Sequence, residues 1–492
     1  MRLTSANRFF FLLILVSSSS AISCAHGAST CGLVGTAPEG FETRFHDGAV
    51  SQSTIHVRPF ELGSFVPQWE IDVDPSERHQ SMWGYGGALT ESCVMNLNRL
   101  APDSRNQLLR EIFSVDGGAG FSYLRIPLGG NDFTTNDFSL DDTADNQPDP
   151  DLKHFDFSRE AELIPYMRLA KQLNPEMRFI ASPWSPPAWM KIPARLDGGT
   201  LNPDYFDAYA KYLLRALEEF DKNGVPIEEV SIQNEPLIKG AITGWGYPQM
   251  YMSPADMTVF LRDHFVPLLE EERKAGKLKT RIFLHDHNWD VGQYVGALLD
   301  DKTIRAATDG VAFHCYGGTP QQMAADMVSH PDVPTFNTEC ASIIPQGETS
   351  ADFQWWLRNM TLDPTRLGLV GATGWNLCLD DHGGPHNTGG CQNCRGLVTI
   401  DQQGKFTFNT EYDAIAQISR YVRRGAVRVG STDLSAHGIG NAAFRNPDGS
   451  VVVVVRNENG TDVTVGVHAS DCEQTTISIP AGGAVSILWR SK

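Results

Sequence analysis

From Met82 onward, apolar and polar positions follow two alternating periods. Short runs that are apolar almost throughout are separated by longer stretches with helical spacing. The strand candidates are 82–89, 121–127, 177–184, 229–235, 281–288, 311–316, 335–339 and 372–377. Runs of this length and composition suit parallel strands buried on both faces. The stretches between them carry helix-end signals. Asn202-Pro203 supplies an N-cap and a first-turn proline; Phe206, Tyr209, Leu213, Leu217 and Phe220 share one face, and Gly224 follows. Ser253-Pro254 opens another helix, with Met257, Phe260, Leu261, Phe265 and Leu268 inside. Eight β units alternating with α units predict an α/β fold, a (β/α)8 TIM barrel over 79–422. No glycine-rich phosphate fingerprint opens the first helix, which disfavours nucleotide binding.

At both ends the period changes to two. Segments 449–457, 462–469 and 483–490 read as strands separated by Gly, Asn and Asp turns, and "STIHVRPF" and "QWEIDVD" alternate in the same way. The expectation is a β-sandwich formed by 423–492, joined by N-terminal strands within 40–78.

Residues 1–28 read as a targeting segment. Arg2 and Arg8 precede the apolar run 9–16, and small residues follow. "AISC" resembles a bacterial lipoprotein box with Cys24 as the lipidated residue. The expectation is a secreted or periplasmic bacterial protein, with a lipid anchor at Cys24 as the alternative. No later stretch is apolar for long enough to predict a transmembrane helix. The formal charge of -19 argues against nucleic acid as a partner. Of nine cysteines, eight remain without Cys24, too few for a disulfide scaffold in 492 residues. "CQNC", 391–394, suggests a local disulfide or two thiols rather than half a zinc site.

In a barrel, chemistry gathers at the C-terminal ends of the strands. Here those ends carry Glu91, Arg125, Trp184, Asn234, Glu235, Asp286, His287, Asn288, His314, Tyr316, Glu339, Trp375 and Asn376. Glu235 follows the fourth strand and Glu339 the seventh, and closure of the barrel brings both over one mouth. Aromatic rings and amides beside two carboxylates suit a sugar: rings stack on its CH faces and polar groups bind its hydroxyls. Pro236 would end the fourth strand so that Glu235 projects into the mouth.

"WGYGGALTES", "RIPLGGNDF", "ASPWSPPAWMK", "SIQNEP", "FHCY", "NTEC" and "GWNLCLDDHGGP", in this order, resemble glycoside hydrolase family 30, the glucosylceramidase family. The resemblance spans nearly the whole chain after the leader. It implies a retaining, double-displacement β-glycosidase with Glu235 as acid/base and Glu339 as nucleophile. It further implies that Glu91, Trp184, Asn234, Trp375 and Asn376 hold the sugar. Arg125, His314 and Tyr316 would position and tune Glu339, with Trp245 and Tyr247 on the leaving-group side. The expected substrate is a β-linked glucoside, either glycolipid or oligosaccharide. A glucosylceramidase-like activity leads, with endo-β-1,6-glucanase or β-xylosidase as alternatives within the family. A non-catalytic carbohydrate-binding protein is the alternative of another class; it would need the stacking residues but not both glutamates.

No cofactor and no metal are expected. His285 and His287 alternate toward one side of a strand, but no third ligand follows at a diagnostic spacing, so His287 is read as a hydrogen-bonding residue. Cys315 and Cys340 flank site residues and are read as packing thiols. The acidic stretch 141–151 lacks EF-hand spacing and is read as a solvated loop. Glu339 is expected to be the ionised member of the pair, about 5–5.5 Å from Glu235.

Overall fold

The structure, a computed structural model, describes residues 38–46, 49–56, 66–344, 349–469 and 474–490. The leader, Cys24, Cys31 and Cys472 lie outside the described residues. Strands β1 (Glu39–His46), β2 (Ala49–His56) and β3 (Trp69–Ser81) come first. Eight parallel strands then close a barrel. They are β4 (Gly84–Ala88), β5 (Tyr123–Leu128), β6 (Arg178–Pro183), β7 (Glu229–Ser231), β8 (Arg281–Asn288), β9 (Thr308–His314), β10 (Thr335–Glu339) and β11 (Leu369–Gly374). All eight overlap runs picked out by the apolar pattern, with β9 and β11 starting three residues earlier than their runs. The glycines of β4 let its neighbour approach closely: a Cβ on Gly86 would sit 1.7 Å from the Tyr123 carbonyl oxygen.

Six strands follow the barrel: β12 (Val427–Ser431), β13 (Ile439–Arg445), β14 (Val451–Asn457), β15 (Val463–Ala469), β16 (Gln474–Ile479) and β17 (Ala484–Trp489). With β1–β3 they form one sheet, ordered β2-β1-β17-β14-β13-β12-β3-β15-β16. The N-terminal strands enter through β1, which pairs with β17, and β3, which lies between β12 and β15. Register shifts opposite Val429 bend β3, so β15 and β16 fold back into a second layer. The valine run of β14 serves two cores. Val451, Val453 and Val455 pack inside the sandwich, while Val452 and Val454 pack toward the barrel. Burial on both faces is why this strand is apolar throughout although its sheet is antiparallel there.

Helices cover the barrel as their caps foretell. Asn202 accepts a hydrogen bond from the Asp204 amide, and the amphipathic helix Phe206–Lys222 follows a short 3-10 turn. Ser253 caps Pro254–Val259, which continues through a π segment into Val266–Lys274. The acidic stretch is not simply solvated. Asp141 is buried and accepts from the Trp189 indole at 3.1 Å, and Asp149 pairs with His154 at 2.7 Å.

Candidate active site

The site is built around one buried carboxylate at the end of β8. His285 and Asp286 both have positive φ (75° and 52°), and the ladder to β9 shifts register between His285 and His287. This bulge breaks the alternation assumed from the sequence. His285 bonds Tyr294 and the Asn288 carbonyl, whereas His287 reaches toward Glu235 at the mouth, and their rings lie 6.1 Å apart. Asp286 points into the barrel. It accepts from Arg125 (2.9 Å), Ser182 (2.6 Å), Ser231 (2.6 Å), His314 (3.0 Å) and Thr338 (2.7 Å). Burial opposes its charge, but Arg125 and His314 outweigh that and hold its carboxyl well below the usual range.

Arg125, fully buried in the middle of β5, spreads this anchor to the site. Its guanidinium donates to Glu339, to the Asn234 side-chain oxygen Oδ1 (2.6 Å) and to Asp286. Trp184 and Trp375 stack on each other at 5.0 Å, and the guanidinium lies 4.9 Å from the Trp184 ring. Because Asn234 Oδ1 is occupied by Arg125, its amide N–H groups remain as donors toward the mouth.

Glu235 follows β7 after a bend. The strand proper ends at Ser231, earlier than the sequence suggested, and Glu235 adopts φ 45°. So the turn that aims this carboxylate lies within Ile232–Glu235 and does not depend on Pro236 alone. The Glu235 amide is fixed to the Asp286 carbonyl at 2.9 Å. A non-glycine residue at positive φ is strained by on the order of 1 kcal/mol, and such strain persists where the surroundings over-determine it.

His314 touches both carboxylates. Its Nδ1 bonds Glu235 at 2.9 Å and lies 3.9 Å from Glu339, while Nε2 bonds Asp286 at 3.0 Å. It therefore hydrogen-bonds Glu235 and, through its charge, tunes Glu339. Burial lowers its pKa, but Glu339, Asp286 and Glu235 together raise it to about 9, so both ring nitrogens donate. Burial drives His287 the other way, to about 3, leaving a neutral ring with Nδ1 3.9 Å from Glu235.

Glu339, ending β10, accepts from Arg125 and from the Tyr316 hydroxyl at 2.9 Å. Tyr316 stands half-exposed on the rim with its hydroxyl reaching down to the carboxylates. Burial raises the Glu339 carboxyl above its ordinary value; the charges of His314 and Arg125 oppose this and that of Glu235 adds to it. His314 and Arg125 thus oppose, without cancelling, the rise that desolvation imposes on Glu339. One oxygen of Glu235, one of Glu339 and a His314 nitrogen lie within 4.8 Å of one another. That spacing would admit a cation. The imidazolium and the guanidinium already fill the role, and a protonated histidine does not ligate metal.

Glu91 is not in the mouth. At the start of the first helix it is tied to Arg159 and accepts from the Thr135 amide at 3.0 Å and hydroxyl at 2.7 Å. The carboxylate beside the tryptophans is Asp132, in the loop after β5. Its Oδ2 meets the Trp375 indole at 3.4 Å, and its Oδ1 is buried without a partner among the described residues. Burial, then the charge of Glu339, raises its carboxyl well above the usual range. Among the described residues Asn376 has neither side-chain polar atom paired, although the residue is fully buried. Unspent buried polar groups beside stacked rings are what a sugar hydroxyl would satisfy. Asp132 stood within "RIPLGGNDF", but it lies in a loop, where no period shows which side chains converge.

Loops from four strand ends close the rim. Asp197 accepts from the Trp245 and Gly246 amides at 2.8 and 2.9 Å, the Gly389 amide bonds the Gly246 carbonyl, and the Asn387 amide bonds the Asp132 carbonyl. Trp245 is half-exposed on this rim. Tyr247 packs beside Trp184 and Trp375, where burial, then Asp132 and Glu235, raise its hydroxyl's pKa. Among the described residues the cysteines form three disulfides, Cys93–Cys378, Cys315–Cys340 and Cys391–Cys394. Cys315 and Cys340 are therefore bridged, not packing thiols.

The model for the glycosyl hydrolase family 30 TIM-barrel domain matches residues 82–422, and that for the family's beta sandwich domain matches 425–487. The chain belongs to glycosyl hydrolase family 30. It is a glycoside hydrolase of this family, a TIM barrel with a C-terminal β-sandwich. An endo-1,6-beta-D-glucanase of Neurospora crassa is 32% identical over 426 residues, covering 82% of this chain and 85% of the relative. The lysosomal acid glucosylceramidase of Mus musculus is 25% identical over 444 residues, covering 85% and 83%. A solved endo-β1,6-glucanase superposes with a TM-score of 0.82 at 27% identity, covering 93% of this chain and 99% of the other. The relatives thus favour the glucanase alternative over the glucosylceramidase-like expectation.

Proposed function

We propose that this family 30 glycosidase is a retaining endo-β-1,6-glucanase. The observation that carries the mechanism is the pair Glu235 and Glu339, with carboxylate oxygens within 4.8 Å across His314. That is close for direct attack and short of the roughly 6.5–9.5 Å an inverting pair needs for its water. Arg125 and Tyr316 donate to Glu339, which favours the pair's negative charge there. Glu339 attacks the anomeric carbon while Glu235 protonates the departing oxygen. The leaving chain goes, Glu235 takes a proton from water, and that water cleaves the glycosyl ester. Through this cycle His314 remains bonded to Glu235 and holds its carboxyl in line.

Trp184, Trp375, Asp132, Asn234 and Asn376 form the sugar pocket in this reading. Trp245 and Tyr247 stand where the leaving chain departs. The β-1,6-glucan assignment is supported by the named relatives. Export is part of the reading, and the three disulfides support an oxidising compartment. Lipidation at Cys24 is the alternative to free release, read from the mass of the mature N-terminal peptide.

The test is early product analysis on β-1,6-glucan, glucosylceramide and β-xylan. The expected result is internal cleavage of β-1,6-glucan with the β-anomer released first. The α-anomer first would refute the mechanism; turnover of glucosylceramide alone would refute the substrate.

A further inference from the structure

We infer that the Cys315–Cys340 disulfide is a positioning device for the nucleophile, setting the hydrogen bond from Tyr316 to Glu339. The inference rests on the reading of Glu339 as nucleophile. Each cysteine is chain-adjacent to a partner in that bond: Cys315 precedes Tyr316, and Cys340 follows Glu339. The bridge therefore ties together the ends of β9 and β10, whose side chains meet at 2.9 Å.

Backbone pairing alone does not hold this point. The β9–β10 register shifts between Phe313 and His314, and the last bond between the two ends is the Cys315 amide to the Glu339 carbonyl, at 3.3 Å. Beyond it come Tyr316, Gly317 and Gly318, the last with φ 84°. Tyr316 is also 46% exposed, so packing covers only part of its ring. A phenol on a glycine-flanked rim would swing through several rotamers; a covalent bridge at its neighbouring Cα limits where the hydroxyl can go. Cys340 also accepts the Trp375 amide through its carbonyl at 2.7 Å, so the bridge reaches the aromatic wall of the pocket. A thiol pair would fill the same volume without fixing the separation of the strand ends. Misplacing a reacting group by about 1 Å can cost on the order of 100-fold in rate.

The experiment compares wild type, Cys315→Ala/Cys340→Ala, Tyr316→Phe and the triple variant, each checked for folding by near-ultraviolet circular dichroism. The readouts are kcat and KM on β-1,6-glucan and the rate of covalent labelling by 2-deoxy-2-fluoro-β-glucosyl fluoride, with the labelled residue identified by peptide mass. In wild type the label should fall on Glu339. A label elsewhere refutes the nucleophile reading itself and leaves nothing for the bridge to position. With Glu339 labelled, loss of the bridge should lower kcat and the labelling rate by about 10- to 100-fold, with KM changed less than about 3-fold. Loss of Tyr316 and loss of the bridge should not multiply, because they remove the same bond. Should the alanine pair not fold, Cys315→Val/Cys340→Ala, which refills the space, is read in the same way. An unchanged kcat in a folded variant, or losses that multiply in the triple variant, overturns the inference.

Discussion

Replacing His314 by Gln tests the electrostatic core of the site. The ring bridges Glu235 and Asp286, and the rise of its pKa from 6.5 to about 9 corresponds to about 3 kcal/mol in favour of the imidazolium. The sign follows from the raised value. The contribution to stability is complete below the unfolded value near 6.5 and is lost as pH rises through about 9. At pH 7.8 the folded ring is almost fully protonated and the unfolded ring almost fully neutral. Unfolding should therefore release about 0.9 proton from this residue. Glu160 and Glu229, both raised by burial to about 8, also release protons on unfolding near this pH, so the variant must be subtracted. The assay is proton release into unbuffered guanidinium, followed by pH-stat, which needs no two-state assumption. Wild type should release up to about 0.9 proton more than His314→Gln at pH 7.8, less any proton that Glu339 holds once the imidazolium is gone, and about none more at pH 5. Equal release at pH 7.8 would refute the charged bridge and, with it, the account of how Glu235 is held.

The two glutamates should separate chemically. Glu235→Ala should lose on the order of 100- to 10,000-fold on unactivated substrates and much less with a dinitrophenolate leaving group. Azide should rescue it to the β-glycosyl azide, whereas Glu339→Ala with azide should give the α-anomer; the reverse configurations would exchange the roles. Asp132→Ala should lower kcat/KM on the order of 100-fold by removing the buried acceptor. Glu91→Gln should change it only a few-fold, with an apparent loss of stability of about 1 kcal/mol from the Arg159 pair; similar kinetic losses in both would restore Glu91 to the pocket. Because burial raises the Glu339 carboxyl, the acidic limb of kcat/KM should fall at a pH above the 4.5 of an ordinary glutamate, and Tyr316→Phe should move it higher still.

The sequence by itself determined the eight barrel strands and the carboxylates of β7 and β10. Strands buried on both faces must be apolar throughout, and a carboxylate, amide or tryptophan placed where such a run stops marks the barrel's chemical face. It also showed the two-residue period of β3, β15 and β17, because a strand's periodicity is local. What it could not show was where the bulge falls. Strict alternation would turn Asp286 away from the side of its neighbours, whereas the positive φ at His285 and Asp286 and the register shift against β9 leave an extra residue there. That extra residue turns Asp286 inward to organise Arg125, Ser182, Ser231, His314 and Thr338. The exchange of Glu91 for Asp132 has the same origin. Both are acidic residues just past a strand, yet only the folded chain offers Glu91 the Arg159 guanidinium and leaves Asp132 beside Trp375. Likewise His314 hydrogen-bonds Glu235 while acting on Glu339 only through its charge, because the first carboxylate lies at 2.9 Å and the second at 3.9 Å. Residue types and periods are properties of the local chain, whereas which of two similar groups meets a partner depends on distances set by barrel closure, loop path and burial together.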